Sequence, residues 1–441
     1  MNRRDFLIVA GAAALTPHIA FASTQTQLMA QPVRAQILPE GHPATAMLGF
    51  NGGTPGPVLK MQQGGMFDIR FMNRLDEDSA IHWHGLRTDN AMDGVPGLTQ
   101  EVVKPGAEFA YRFHAPDAGT FWYHSHNRSL EQVAKGLYGP LIVEESAPPD
   151  VDHDLVVMID DWRMTEAGTL ADDFDNMHDQ AHDGRLGNYA RALVEPVKQV
   201  QRGDRVRLRL INVATDRIFP VIIEGADGMV VALDGMPLPN PRPMSDLVLA
   251  PAQRADIIAD VTSSDHLAFI FQTREGSYLL GEIPMDGENA VRVPSQVPAL
   301  VPNAVAQPDM DKAVSLTLSM EGGAMSRRMM RGMMGRRDAI WAFNGQSGVT
   351  DRPFHRFARG QTARIKLIND TRFPHGIHLH GHHFFEIGAG DTPGDFRDTT
   401  LVEAGGTREI ACVFDNPGKW LLHCHMLGHQ AAGMKTWVDV I

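Results

Sequence analysis

The chain has 441 residues, 43% of them hydrophobic, enough for proper cores and, at ordinary domain size, for about three domains. A formal charge of −13 disfavours nucleic acid as a partner, and two cysteines exclude a disulfide-stapled scaffold. With 42 glycines and 28 prolines the chain is rich in turns rather than long helices, and 20 histidines with 23 methionines give it an unusual supply of borderline and soft metal donors.

Residues 1–22 read as a targeting segment. Arg3-Arg4-Asp5-Phe6-Leu7, an apolar run to Leu15 and the small-x-small site Ala20-Phe21-Ala22 have the layout of a twin-arginine signal peptide, which carries folded proteins to the periplasm. A Sec signal with an incidental arginine pair is the alternative. The run is too short to cross a bilayer and no later stretch of 18 apolar residues follows, so no membrane span is expected.

One unit then occurs three times. Gly64–Asn73, Gly203–Asn212 and Gly360–Asn369 each run from a glycine turn through alternating apolar and polar residues to a closing asparagine, the pattern of a strand with one buried face. The asparagines lie 139 and 157 positions apart, so the repeating unit is a whole domain. Short β-rich runs such as Leu141-Ile142-Val143, Val221-Ile222-Ile223 and Ala268–Phe271 fill the rest. An all-β chain of three consecutive Greek-key β-sandwiches is predicted, spanning 23–146, 147–300 and 301–441, with linkers near Glu145–Asp152 and Pro294–Pro308.

The histidines fall in register with this repeat. Nine and eleven positions after the closing asparagine stand His82 and His84 in the first domain, His378 and His380 in the third, and Val221 and Ile223 in the second. Five and seven positions after Gly119 and Gly418 stand His124 and His126, then His423 and His425. Residues i and i+2 of a strand point to one face, so each pair presents two imidazoles to one space. Eight imidazoles exceed the needs of one four-coordinate ion. They suit a cluster of about three metals at the contact of the first and third domains.

Cys424, between His423 and His425, adds an asymmetric part. His375, Cys424, His429 and Met434 occur together only in the third domain; the equivalents of His375, Cys424 and His429 in the first are Ser79, Ser125 and Leu130. Two imidazoles, one thiolate and one thioether are the ligand set of a blue-copper electron-transfer site. That reading argues against a Cys412–Cys424 disulfide and leaves Cys412 as a buried thiol.

Four motifs, His-Trp-His-Gly at 82–85, Tyr-His-Ser-His at 123–126, His-Gly-Ile-His-Leu-His-Gly at 375–381 and His-Cys-His-x3-His-x4-Met at 423–434, make the sequence resemble the multicopper oxidases, the family of laccases, cuprous oxidases and bilirubin oxidases. The resemblance covers essentially the whole mature chain and implies three cupredoxin-like domains and four copper ions. By it, His375, Cys424, His429 and Met434 bind the type 1 copper, His82 and His378 the type 2 copper, and His84, His124, His126, His380, His423 and His425 the type 3 pair. It implies an enzyme that takes single electrons from a small donor, four per dioxygen, and releases water. Asp93 resembles the family's acid near the cluster. Where the family often has a proton-delivering Glu after the second type 1 histidine, this chain has Gln430, and proline precedes His375 as Pro374 instead of following it.

The favoured reductant is Cu(I), in the service of copper detoxification, with phenols as the alternative. Bacterial cuprous oxidases resemble this chain in carrying a methionine-rich insert. Met320, Met325, Met329, Met330, Met333 and Met334 crowd into fifteen residues, and thioethers prefer Cu(I). Against capture of the substrate ion stands a packing role, since Met325, Met329 and Met333 recur at helical spacing and five arginines are interleaved. Relatives' Asp and Met before the first type 1 histidine are replaced by Thr371 and Phe373, with Asp370 one residue displaced. His178 and His182 form an incidental metal pair or a solvated helix face, and His382 and His383 support the ligand strand. A copper-free structural protein of the same fold is the reading from another class. A monomer is expected, because one chain carries a full ligand set.

Overall fold

A computed structural model describes residues 25–196, 200–263, 265–285, 292, 295–324, 326 and 339–441. Met325, Met329, Met330, Met333 and Met334 lie outside the described residues, as does the targeting segment.

Each repeat folds into two packed sheets. The first domain has four strands on each side, the second six and four, the third six and five, all drawn from Thr26–Glu144, His153–Pro284 and Val314–Val440 respectively. The three repeated strands, Met66–Asn73, Arg205–Asn212 and Gln361–Asn369, occupy one place in this topology. Each pairs in parallel with the first strand of its own domain, Thr26–Ala35, His153–Trp162 and Val314–Gly322. Parallel pairing cannot be made by a hairpin, so the intervening chain must cross over before the second strand begins.

In the outer domains the alternation has the predicted meaning. Phe67, Ile69 and Phe71 point into the first core and Ala363, Ile365 and Leu367 into the third. The middle copy differs, for Arg205–Asn212 is buried on both faces. Its apolar residues enter the middle core, while Arg207 pairs with Glu145 and Asp256, and Arg209 with Asp154 and with the Thr120 hydroxyl of the first domain. A polar face read from sequence as solvated is thus an interdomain ion-pair surface. Met320 also departs from expectation. It lies on Val314–Gly322, is 0% exposed and packs in the third core, so it is removed from the candidate substrate-metal donors.

Asparagine closes each copy because its side chain ties three backbone segments together. Asn212 Oδ1 accepts from Ala214 N–H, and Nδ2 donates to the carbonyls of Arg217 and Leu249. Asn73 makes the same three kinds of bond to Leu75, Glu77 and Val103, and Asn369 to Thr371, Phe373 and Val402. Every one of these asparagines is buried, so no water stands in for the amide.

The middle and third domains meet at a short helix, Leu427–Ala431, which carries His429 and Gln430. Leu427 N–H donates to the Thr215 carbonyl, and the Asp216 carboxylate accepts from Gly428 N–H and Arg185 N–H. Burial pushes the Asp216 carboxyl up to about 6 against these hydrogen bonds.

Two stability predictions follow from these contacts. Asn212→Ala strands two carbonyls and one N–H in the interior and should lower unfolding free energy by about 3 kcal/mol, measured by denaturant titration. An acid whose value is raised on folding favours the folded state at low pH and loses that contribution as pH rises through the folded value. The stability difference between the wild type and Asp216→Asn should therefore shrink from pH 4 to pH 7.5, by up to about 3 kcal/mol. A pH-independent difference would show that Asp216 is equally protonated in the folded and unfolded chain across this range.

Candidate metal centres

The ligand strands face each other across the first and third domains. Ile81–His84 pairs antiparallel with Gly119–Ser125, placing His82 opposite His124; His375–Leu379 pairs antiparallel with Gly418–Cys424, placing His378 opposite His423. His126 and His425 follow their strands and are fixed alike, by N–H donation to the carbonyls of Ala80 and Gly376, each seven residues after a closing asparagine. All eight imidazoles are buried.

Their packing has an approximate two-fold pattern. His82 stacks on His380 and His84 on His378, both with ring centroids 3.9 Å apart. Two aspartates brace these stacks. The Asp93 carbonyl accepts from His82 Nδ1 at 2.8 Å, and its carboxylate lies 3.1 Å from His380 Nδ1. The Asp398 carbonyl accepts from His378 Nδ1 at 2.9 Å, and its carboxylate lies 3.1 Å from His84 Nε2. His124 and His423 donate Nδ1–H to the carbonyls of Ser125 and Cys424.

Once these bonds are made, the inward nitrogens are left over. His82 Nε2, His84 Nδ1, His124 Nε2, His126 Nε2, His378 Nε2 and both nitrogens of His425 are buried without a hydrogen-bond partner among the described residues. Orphaned buried nitrogens in such number are costly unless an electrophile collects them. Donor atoms of His126, His380 and His423 lie within 4.8 Å of one another, as do those of His82, His378 and His380, and of His82, His84 and His124. Burial, then repulsion between neighbouring rings, holds His126 and His380 well below the usual histidine range, and burial is the leading cause at His84, His124, His423 and His425 as well. These rings are neutral at pH 7, the form a metal binds.

The third-domain site is separate and smaller. His375 Nδ1 and His429 Nδ1 are 3.1 Å apart and lie 3.6 and 3.8 Å from Cys424 Sγ. The centre of that triangle is about 2 Å from each corner, a metal–ligand distance. The outer nitrogens are fixed, as ligating histidines require. His375 Nε2–H donates to Thr371 Oγ1, which in turn donates to Asn369 Oδ1, and His429 Nε2–H donates to the His182 carbonyl at 2.6 Å. Met434 and Cys424 are fully buried and joined by a Cys424 N–H to Met434 carbonyl bond. Burial pulls His429 down to about 4 and pushes the Cys424 thiol far up, so a metal that binds there displaces a proton from sulfur. In the first domain the equivalent place is filled by Ser79 and Ser125, whose hydroxyl oxygens are 3.4 Å apart and both bond Gln132.

The structure thus gathers His82, His84, His124, His126, His378, His380, His423 and His425 with Asp93 into one centre, and His375, Cys424 and His429 into another with Met434 buried in the same core. Cys412 and Cys424 are both free, and Cys412 is buried. His382 donates to the His380 carbonyl and His383 to that of Asp234, which fits a supporting role. His178, in the helix Met177–Ala181, and His182, which caps it, stack at 4.0 Å. A cleft of about 830 Å³ between all three domains reaches His126 and Gln430 and is flanked by Arg128, Glu131, Asp175 and Lys435.

Sequence reasoning did not find Asp398, the His182 carbonyl, Asp216 or Arg254. Asp93 lies 20 residues after its asparagine and Asp398 lies 29 after its own, because the third domain inserts a hairpin, Phe384–Ile387 with Pro393–Arg397. Counting from the repeat therefore misses the match. A contact made by a backbone carbonyl leaves no side-chain signal at all.

Comparison with known proteins agrees with this geometry. Models described as multicopper oxidase match residues 33–148, 153–279 and 312–441. The chain is 30% identical to the multicopper oxidase MmcO of Mycobacterium tuberculosis, over 98% of this chain and 89% of that one. It is 27% identical to copper resistance protein A of Pseudomonas syringae pv. tomato, over 91% and 90%. The crystal structure of Lac15 from a marine microbial metagenome superposes with a TM-score of 0.82 and 64% identity, covering 94% of this chain and all of that one. With the fold of three cupredoxin domains and two histidine-rich centres in place, the chain belongs to the multicopper oxidase family and is a copper-dependent oxidoreductase that uses dioxygen.

Proposed function

We propose that this enzyme is a cuprous oxidase: Cu(I) gives up electrons at the type 1 position, and dioxygen is reduced to water at the cluster. We assign His375, Cys424, His429 and Met434 to type 1 copper, His82 and His378 to type 2, and His84, His124 and His425 with His126, His380 and His423 to the type 3 pair. The last partition is supported by ring separations of 4.9, 5.4 and 5.9 Å within the first trio and by the converging donor atoms of the second. Copper in these places supplies one-electron exchange and a four-electron store. Four Cu(I) ions and four protons are consumed per dioxygen, giving four Cu(II) ions and two waters.

The chain's own residues do the rest. Cys424 is bonded through backbone to His423 and His425, giving electrons a covalent route between the centres. Asp93, buried within 3.1 Å of His380 Nδ1, is the acid placed to hand on protons, and the cleft at His126 admits them from solvent. Gln430 lines that cleft and cannot titrate.

The observation that carries the choice of Cu(I) is the roof over His429. That imidazole is 0% exposed, and its outer nitrogen is taken by His182, so a phenol has no imidazole edge to approach. Both flanks of the methionine-rich segment rest on the same roof, Ala324 N–H on the Ala181 carbonyl and Trp341 Nε1–H on that of Gln180. Trp341 also packs on His429, with ring centroids 4.4 Å apart. A small ion handed over by thioethers suits this roof. Among the described residues no helix is long and apolar enough to cross a membrane. Export to the periplasm rests on residues 1–22, and a mature N-terminus near residue 23 in that compartment would support it.

Oxygen uptake with Cu(I), Fe(II) and a phenol in parallel tests the substrate. Deleting residues 325–338 should raise the KM for Cu(I) about tenfold and leave the phenol rate unchanged. Unchanged Cu(I) kinetics would remove the methionines from capture, and a phenol preferred by the intact enzyme would favour the laccase reading. Asp93→Asn should lower kcat about a hundredfold without altering the rate at which the type 1 colour bleaches under anaerobic reductant. Cys424→Ser should abolish that colour and oxygen uptake with every donor.

A further inference from the structure

The middle domain carries none of the copper ligands, yet one of its side chains reaches the cluster. Arg254, on Arg254–Val261, is 0% exposed. Its Nη1 donates to Asp398 Oδ1 at 3.0 Å, Nη2 lies 2.7 Å from Oδ2, and Nε donates to the Thr120 carbonyl of the first domain at 3.1 Å. Asp398, also 0% exposed, belongs to the third domain, and the imidazole it braces, His84, belongs to the first. All three domains meet at this one carboxylate.

The contact is built into the His-Trp-His-Gly motif. Gly85 has φ +85°, and a Cβ there would stand 2.3 Å from Arg254 Nη2 and 2.6 Å from Asp398 Oδ2. Only a residue without a side chain leaves room for the guanidinium beside the ligand strand. Thr399 Oγ1 donates to Asp398 Oδ1 as well, so the carboxylate is held from several sides.

What the Asp398 carboxylate does differs from what the backbone braces do. His82, His124, His378 and His423 have Nδ1 taken by backbone carbonyls. His84 is reversed: Nε2 faces Asp398, and Nδ1 is left without a partner among the described residues. A backbone carbonyl is always an acceptor. A buried carboxylate remains a reliable one only while a cation compensates it, and here the cation comes from a different domain.

We infer that Arg254 is a positioning residue for the trinuclear centre: through Asp398 it fixes His84 with Nε2–H donated outward and Nδ1 presented inward, so the copper-free middle domain sets one type 3 ligand. This rests on the copper assignment proposed above. Unlike Asp93, Arg254 moves no proton and touches no substrate. A planar cation that serves the Asp398 carboxylate and the Thr120 carbonyl together is required, which lysine reproduces only in charge.

The test uses the copper-loaded full chain and reads copper per chain, the blue type 1 absorption, the near-ultraviolet absorption of the coupled pair, and the copper visible by electron paramagnetic resonance. Arg254→Met should keep the type 1 absorption, lose most of the coupled-pair band, and weaken cluster copper by tenfold or more against a chelator. Arg254→Lys should recover part of the band. Because Arg254→Met leaves a buried carboxylate uncompensated and its folding is at risk, the double variant Arg254→Met/Asp398→Asn removes both charges. It should fold with the wild type's melting temperature and still lack the normal pair signal. A native coupled-pair spectrum and copper count in the double variant, or in a folded Arg254→Met, would overturn the inference. Equal loss of type 1 and cluster signals in both variants would do so too, as it marks a packing role. A wild-type chain that binds copper without any coupled-pair signal would instead refute the copper assignment.

Discussion

Everything in this molecule is arranged around eight buried imidazoles packed together where two β-sandwiches meet, six of them offering a nitrogen with no partner among the described residues. Burial is what makes the arrangement chemically useful, because desolvation and mutual repulsion hold rings such as His126 and His380 unprotonated at neutral pH. It is also what makes it expensive, since the inward nitrogens have no partner without metal. The fold meets this cost by fixing the outward nitrogens first. Asp93 and Asp398 perform matching tasks on the two sides, each with its carbonyl on one ring and its carboxylate on another.

The closing asparagine of each repeat links this chemistry back to the fold. It pins the turn after the repeated strand to a neighbouring segment some thirty to forty residues on, and the strand that begins six to eight residues later therefore starts at a fixed height. In the third domain the same side chain also reaches the His375, Cys424 and His429 centre, through the Asn369–Thr371–His375 chain. A residue conspicuous in the sequence as a repeat marker is thus also a brace two hydrogen bonds removed from the imidazole of His375.

Much of this was legible before any coordinates. Strand period, the three asparagines and the His-x-His offsets together predicted the sandwiches, their number and the gathering of eight imidazoles at the contact of the first and third domains; the pairing of His82 with His124 and of His378 with His423 came only with the structure. The filled site at Ser79 and Ser125 shows that register counting placed even the lost ligands. What escaped notice was of three kinds. Asp398 sits beyond an inserted hairpin, which shifts its offset. The His182 carbonyl acts through backbone. Arg205, Arg207 and Arg209 alternate like a solvated face, and only the docking of a second domain reveals them as buried ion pairs. Met320 erred in the opposite direction: counted with the methionine run, it belongs to a core strand whose last residues precede that run.

These omissions concentrate in the middle domain, which supplies His182 to one centre, Arg254 to the other, and Asp216 to the helix that carries His429 and Gln430. Loss of its own ligands left it the mortar between two metal-binding neighbours. The most direct measurement of the central claim is anomalous diffraction at the copper edge from crystals of the loaded protein. The account predicts three peaks enclosed by the eight imidazoles, one of them against His84 Nδ1, and a fourth at the centre of the His375, Cys424 and His429 triangle. Copper bound elsewhere, or a cluster that takes His84 through Nε2 with Asp398 displaced, would contradict it.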